Sequence, residues 1–262
     1  MSEEVFSRPN GHYLNVEHIP VSGKPYIVYL HGLLSSLKSR KGQYLKAFAA
    51  EHGLSYLSFD FTAHGQSWGK PWDFSIGRCF EDAKDVIAHY CKTPAFIVGS
   101  SMGGLIGILL SEACPDKVAG YVGLAAGADF MDFIWNNKLL PEHKEALKNG
   151  AVLGPSDETS GYCFTYEMFE DARKYFILNR RVNFNGPVRL IQGDSDVLVP
   201  YPTVFKIKDV LTSSNVQIIL IKGAGHALSE PTQLDAIGHT LKGLIDDTGL
   251  YQCAESGAKQ ES

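Results

Sequence analysis

The chain has 262 residues, a net charge of −5 from 24 basic and 29 acidic side chains, and five cysteines without a C-x-x-C pair. That length suits one large α/β domain burying most of its core, and the charge offers no broad basic surface for nucleic acid. The cysteines imply neither a complete disulfide framework nor a zinc cluster, no apolar run approaches the roughly 18 residues of a membrane span, and Met1-Ser2-Glu3-Glu4 lacks signal-peptide features.

The expectation is a soluble protein acting on a small-molecule or acylated substrate, without stable membrane insertion. A cytoplasmic location fits, as does the mitochondrial matrix if a transit segment has been removed. Oligomeric state is written in no motif.

Val5 to Arg8 and Tyr13 to Glu17 flank Asn10-Gly11 and read as an N-terminal hairpin. Tyr26 to Leu30 is a continuous apolar run, as in a strand buried on both faces of a parallel sheet. Helical periodicity follows over Lys41 to Glu51, then a strand over Leu54 to Phe59 and an amphipathic helix over Ile76 to Tyr90. Ala95 to Val98 reads as a strand, the run to Ala113 as a helix, and Val118 to Leu124 as another strand. This alternation predicts a doubly wound, mostly parallel sheet with right-handed crossovers.

The rhythm breaks after Gly127. Met131 to Lys138, Glu142 to Lys148 and Glu167 to Leu178 read as helices, with a hairpin between Ala151-Val152-Leu153 and Tyr162 to Tyr166. Residues 128–186 are therefore expected to form a small cap over the strand ends, where such sheets bind ligands. Val188 to Gln192 resumes the sheet, followed by a helix over Tyr201 to Val210, a strand over Val216 to Ile221 and a final helix over Leu234 to Ile245. The polar tail, residues 252–262, is expected to be disordered.

The pattern Gly99-Ser100-Ser101-Met102-Gly103 lies between a strand and a small-residue helix. In G-x-S-x-G, a serine sits on a strained strand-to-helix turn with its hydroxyl raised above the sheet. Gly65-Gln66-Ser67-Trp68-Gly69 repeats the pattern, but Lys70-Pro71 stands where a helix should begin. Ser101 is thus the candidate nucleophile, with a purely structural turn as the alternative.

A serine hydroxyl needs a base, and His226 in Gly223-Ala224-Gly225-His226-Ala227 follows a late strand where a loop would reach Ser101. The imidazole needs a carboxylate. Asp196, three residues before Val199 in Gly193-Asp194-Ser195-Asp196, is favoured, with Asp194 held as the alternative. The amides of Leu33, after His31-Gly32, and Met102 are the expected oxyanion donors. His31-Gly32 could instead make only a tight turn.

The loop from Asp60 to Ser67 is expected to be held by its own hydrogen bonds. Lys38, Arg40 and Lys41 read as a solvated helix start, or as an attraction for a substrate anion. Trp68, Trp72, Phe133 and Trp135 could line an acyl pocket or serve as cap packing. No cofactor or metal is called for.

His31-Gly32, Gly99 to Gly103, Gly193 to Pro200 and Gly225-His226 together resemble the α/β-hydrolase superfamily of serine hydrolases, across about Tyr26 to Leu244. Within it, Phe59-Asp60-Phe61 with Gly65 and Ser67, the turn extended to Gly104, Pro187 to Ile191, and Leu140-Pro141-Glu142 with the cap hairpin are similar to the mitochondrial depalmitoylating thioesterases, which also hydrolyse acyl glucuronides, and their bacterial relatives. The resemblance implies hydrolysis of fatty acyl thioesters or esters by Ser101, Asp196 and His226. Carbon–carbon hydrolysis of ring-fission products uses a similar set, and a catalytically silent binding protein on the same fold is the alternative outside enzymes.

Overall fold

The computed structural model describes residues 3–155 and 163–250. The N-terminal hairpin is present: β1 (Glu3–Ser7) pairs antiparallel with β2 (Tyr13–Ile19). β2 then lies antiparallel on β4 (Ser55–Phe59). From there the sheet runs parallel through β3 (Tyr26–Leu30), β5 (Ala95–Ser100), β6 (Val118–Leu124), β7 (Val188–Gly193) and β8 (Val216–Ile221), in the order β1-β2-β4-β3-β5-β6-β7-β8.

Strand alternation explains why the central strands are apolar throughout. Val28, Leu30 and Ile97 face α2 (Ile76–Tyr90) and α3 (Met102–Ala113), whereas Ile27, Tyr29, Phe96 and Val98 face α1 (Arg40–Glu51) and α8 (Pro231–Thr248). Every residue of β3 and β5 is buried, which places the turn after β5 in the middle of the sheet.

Between β6 and β7 lie α4 (Phe130–Asn137), α5 (Pro141–Lys148) and α6 (Tyr166–Arg173). The expected hairpin is reduced to one antiparallel bridge, Leu153 with Phe164, and its Tyr162 lies outside the described residues. The last of these helices stops short of the expected Leu178. Asp129 takes the amides of Ile177 at 2.8 Å and Leu178 at 3.1 Å, so the chain turns into that carboxylate and does not continue the helix.

α7 spans Pro202–Val210. α8 is longer than expected because Glu230 and Gln233 form a capping box with Pro231 in the first turn, starting it earlier. Residues 252–262 fall outside the described chain. Among the described residues no helix is long and apolar enough to cross a membrane.

Candidate active site

Ser101 stands between β5 and α3 with φ 53° and ψ −116°, a conformation that few side chains adopt. The surroundings enforce it. Its amide donates to Leu124 O at 2.9 Å, and its carbonyl accepts from Gly104 and Gly127, each at 2.9 Å.

The flanking glycines are required by crowding. A Cβ on Gly99 would lie 2.3 Å from Gly103 O, and one on Gly103 would lie 2.1 Å from Leu30 O. Gly32 comes against Ser101 itself, where an added Cβ would be 3.2 Å from Ser101 Cβ.

The structure brings Ser101, His226 and Asp196 together from three loops. His226 Nε2 is 2.9 Å from Ser101 Oγ, and Nδ1 is 2.8 Å from Asp196 Oδ2. A carboxylate can only accept, so the Nδ1 proton faces Asp196 and Nε2 is left to accept from the serine hydroxyl.

Asp196 is buried and all its lone pairs are directed. Oδ2 also accepts from Gln192 Nε2 at 2.9 Å, while Oδ1 accepts from the amides of Leu198 and Val199, each at 2.9 Å. Burial pushes the carboxyl up, but hydrogen bonds from His226 and the two amides outweigh it and hold the pKa below the ordinary value.

Asp194 is exposed and takes a different part. It accepts from Gly223 N at 2.7 Å, tying the acid loop to the histidine loop. Gly193 allows these loops to touch, since a Cβ there would sit 2.2 Å from Ala224 O.

His31 is fully buried. Its Nδ1–H donates to Gly32 O at 2.7 Å and its Nε2 accepts from Phe61 N–H at 3.2 Å, fixing the loop that presents Leu33. Burial and the neighbouring His64 push its pKa down to about 3, so the ring is neutral. Among the described residues, neither the Leu33 nor the Met102 amide donates to a protein acceptor, and Met102 opens α3, where amides face outward.

Two contributors to the site carried little signal in sequence. Gln192 is one of two polar residues in β7, with Arg189, and nothing in the sequence singled it out. Lys41, expected at a solvated helix start, is half-buried. Its Nζ donates to Ala227 O beside His226, and desolvation lowers its pKa to about 8.

Of the four aromatic residues considered for an acyl pocket, only Phe133 lines the space beside Ser101. Trp135 packs within the inserted helices against Phe169 and Tyr166, Trp68 stacks on His12, and Trp72 is exposed. Among the described residues no cluster of three or more His, Cys, Asp or Glu side chains is placed to hold a metal ion.

Residues 22–153, half of the chain, match the model of the family described as serine aminopeptidase, S33, of the Hydrolase_4 group. The chain belongs to this α/β-hydrolase family. It is 28% identical over 235 residues to the bovine and the human mitochondrial palmitoyl-protein thioesterase ABHD10, covering 88% of this chain and 77% of each relative. Mouse monoglyceride lipase is 24% identical, with 95% and 90% covered.

Among solved structures, mouse α/β-hydrolase domain-containing protein 10 superposes with a TM-score of 0.86 at 23% identity, covering 94% of this chain and 99% of that one. Est1E from Butyrivibrio proteoclasticus with bound ferulic acid superposes with a TM-score of 0.79 at 20% identity, covering 92% and 97%. The architecture is the α/β-hydrolase fold.

Proposed function

We propose that this chain hydrolyses carboxylic esters or acyl thioesters through an acyl-enzyme, with Ser101 as nucleophile, His226 as base and Asp196 as its orienting acid. The observation that carries this is the continuous hydrogen-bonded line from Ser101 Oγ through both ring nitrogens of His226 to a buried, fully partnered carboxylate.

In the first half-reaction His226 Nε2 takes the Ser101 proton as Oγ attacks the acyl carbon. The resulting oxyanion is met by the amides of Leu33 and Met102, and Asp196 stabilises the imidazolium. Collapse of the tetrahedral adduct breaks the bond to the leaving oxygen or sulfur, which receives the proton from His226. Water then attacks the acyl-enzyme with His226 again as base, releasing the carboxylic acid and restoring Ser101. The helices inserted between β6 and β7 act as a cap, of which Phe130, Phe133 and Ile134 of α4 contribute a wall of the acyl site.

The relatives named palmitoyl-protein thioesterase and monoglyceride lipase support acyl transfer as the reaction class. Incubation with a fluorophosphonate probe tests it. Wild type and Ser67→Ala should be labelled and Ser101→Ala should not. An unlabelled wild type beside a labelled control hydrolase would overturn the enzyme reading, and loss of labelling in Ser67→Ala alone would overturn the choice of serine.

A further inference from the structure

Beside Ser101 and His226 lies a cavity of about 50 Å³ walled by Leu33, Phe130, Phe133, Ile134, Leu198 and Val199. A second space of about 260 Å³ runs out past Pro200 to Thr203 and Lys206. Phe130, Phe133, Leu198 and Val199 line both, so these four side chains, with Leu198 45% exposed, stand as a partition between the reacting centre and the larger volume.

The partition is held from two sides. Leu198 and Val199 follow directly from the acid loop, and both their amides donate to Asp196 Oδ1 at 2.9 Å. The carboxylate that orients His226 therefore also fixes the wall. On the opposite side Phe133 projects from α4, and Lys138 Nζ sits 6.0 Å from its ring centroid.

One water-sized group needs roughly 10–15 Å³ of such space, so the inner cavity takes about three to five non-hydrogen atoms beyond the acyl carbonyl. A longer chain meets Phe133 and Leu198. We propose that the enzyme is a short-acyl hydrolase, taking acyl groups of up to about six carbons, and that Phe133 and Leu198 set this limit. The inference rests on Ser101 being the nucleophile. It separates this chain from the long-chain substrate in the names of the thioesterases it resembles.

The test is kcat/KM on p-nitrophenyl acetate, butyrate, hexanoate, octanoate and decanoate for wild type, Phe133→Ala and Leu198→Ala. Wild type should peak at butyrate or hexanoate and fall by at least about tenfold at decanoate, within the range that a single methylene contact commands. In each variant the decanoate-to-butyrate ratio should rise by about tenfold or more as the two spaces merge. The ratio is independent of the fraction of active protein, so a partly misfolded variant cannot mimic the shift, and the two variants alter different elements.

A wild-type rate that climbs steadily to decanoate, or ratios within about twofold of wild type in both variants, would overturn the partition while leaving the nucleophile intact. Absence of hydrolysis at every chain length, with Ser101 unreactive to fluorophosphonate, would overturn the nucleophile and the partition together.

Discussion

Two turns in this chain share the pattern G-x-S-x-G, follow a strand at the same edge of the sheet, and use their serines in opposite ways. At Gly99 to Gly103 the serine's backbone is strained, its hydroxyl faces a ring nitrogen at 2.9 Å, and a helix begins at the next residue. At Gly65 to Gly69 the hydroxyl is turned inward. Ser67 Oγ donates to Asp60 O and accepts from Asn15 N at 2.9 Å, stitching the loop to β2.

The glycines do not discriminate, because both turns need them. A Cβ on Gly65, at φ +51°, would lie 2.1 Å from the Asp60 carboxylate, just as one on Gly99 would strike Gly103. What differs is where the serine hydroxyl points, and that is decided by whether the chain continues into a helix.

The largest consequence concerns activity. Ser101→Ala should lower kcat by about 10⁶-fold, and Asp196→Asn, which leaves the wrong proton facing His226, by about 10⁴-fold. Neither should greatly reduce the fraction folded. Steady-state rates on a butyrate ester measure both, and a Ser101→Ala enzyme within a hundredfold of wild type would break the contrast between the turns.

The second serine should show the reverse profile. Ser67→Ala leaves Asp60 O and Asn15 N without their partner in a mostly buried loop and should cost about 1–3 kcal/mol of stability. Its kcat should stay within about threefold, because no step of the proposed reaction passes through that loop. Urea unfolding alongside initial rates separates the two effects, and a large loss of rate in a stably folded Ser67→Ala would show that the turns share one role.

Much of this contrast is legible in the amino-acid sequence. Strand, turn and helix around Ser101 follow from apolar runs and small residues, and the loops after the last two strands pointed to Asp196 and His226 as hydrogen-bond partners. The helices inserted between β6 and β7 were less legible. The end of α6 depends on Asp129 receiving amides from nearly fifty residues away, a contact no local periodicity announces. Lys41 was hidden for the same reason, since its carbonyl partner at Ala227 is distant in sequence. The aromatic residues stayed open between an acyl pocket and cap packing because periodicity marks a side chain as buried without saying against what. Trp135 is packed inside the inserted helices, whereas Phe133, two residues earlier on the same helix, lines the space beside Ser101.

The smallest effect concerns the residue that joins the two turns. His31 accepts the amide of Phe61, at the start of the loop that leads to Ser67, and its own carbonyl is among the atoms that a Cβ on Gly103 would strike, at 2.6 Å. Burial and the nearby His64 push the folded pKa down from 6.5 to about 3. Below pH 6.5 the unfolded chain therefore takes up a proton that the folded chain refuses, so this stabilisation is present above 6.5 and is lost as pH falls toward 3. Between pH 7 and pH 6 the loss from this one group should be about 0.7 kcal/mol. His31→Asn should be less stable than wild type at both pH values, yet its decline over that interval should be smaller by the same amount, measured by urea unfolding at each pH. An unchanged decline would mean that His31 takes up its proton as readily in the folded protein as in the unfolded chain. Its Nε2 could not then accept from Phe61, and the two turns would be held apart by something other than this ring.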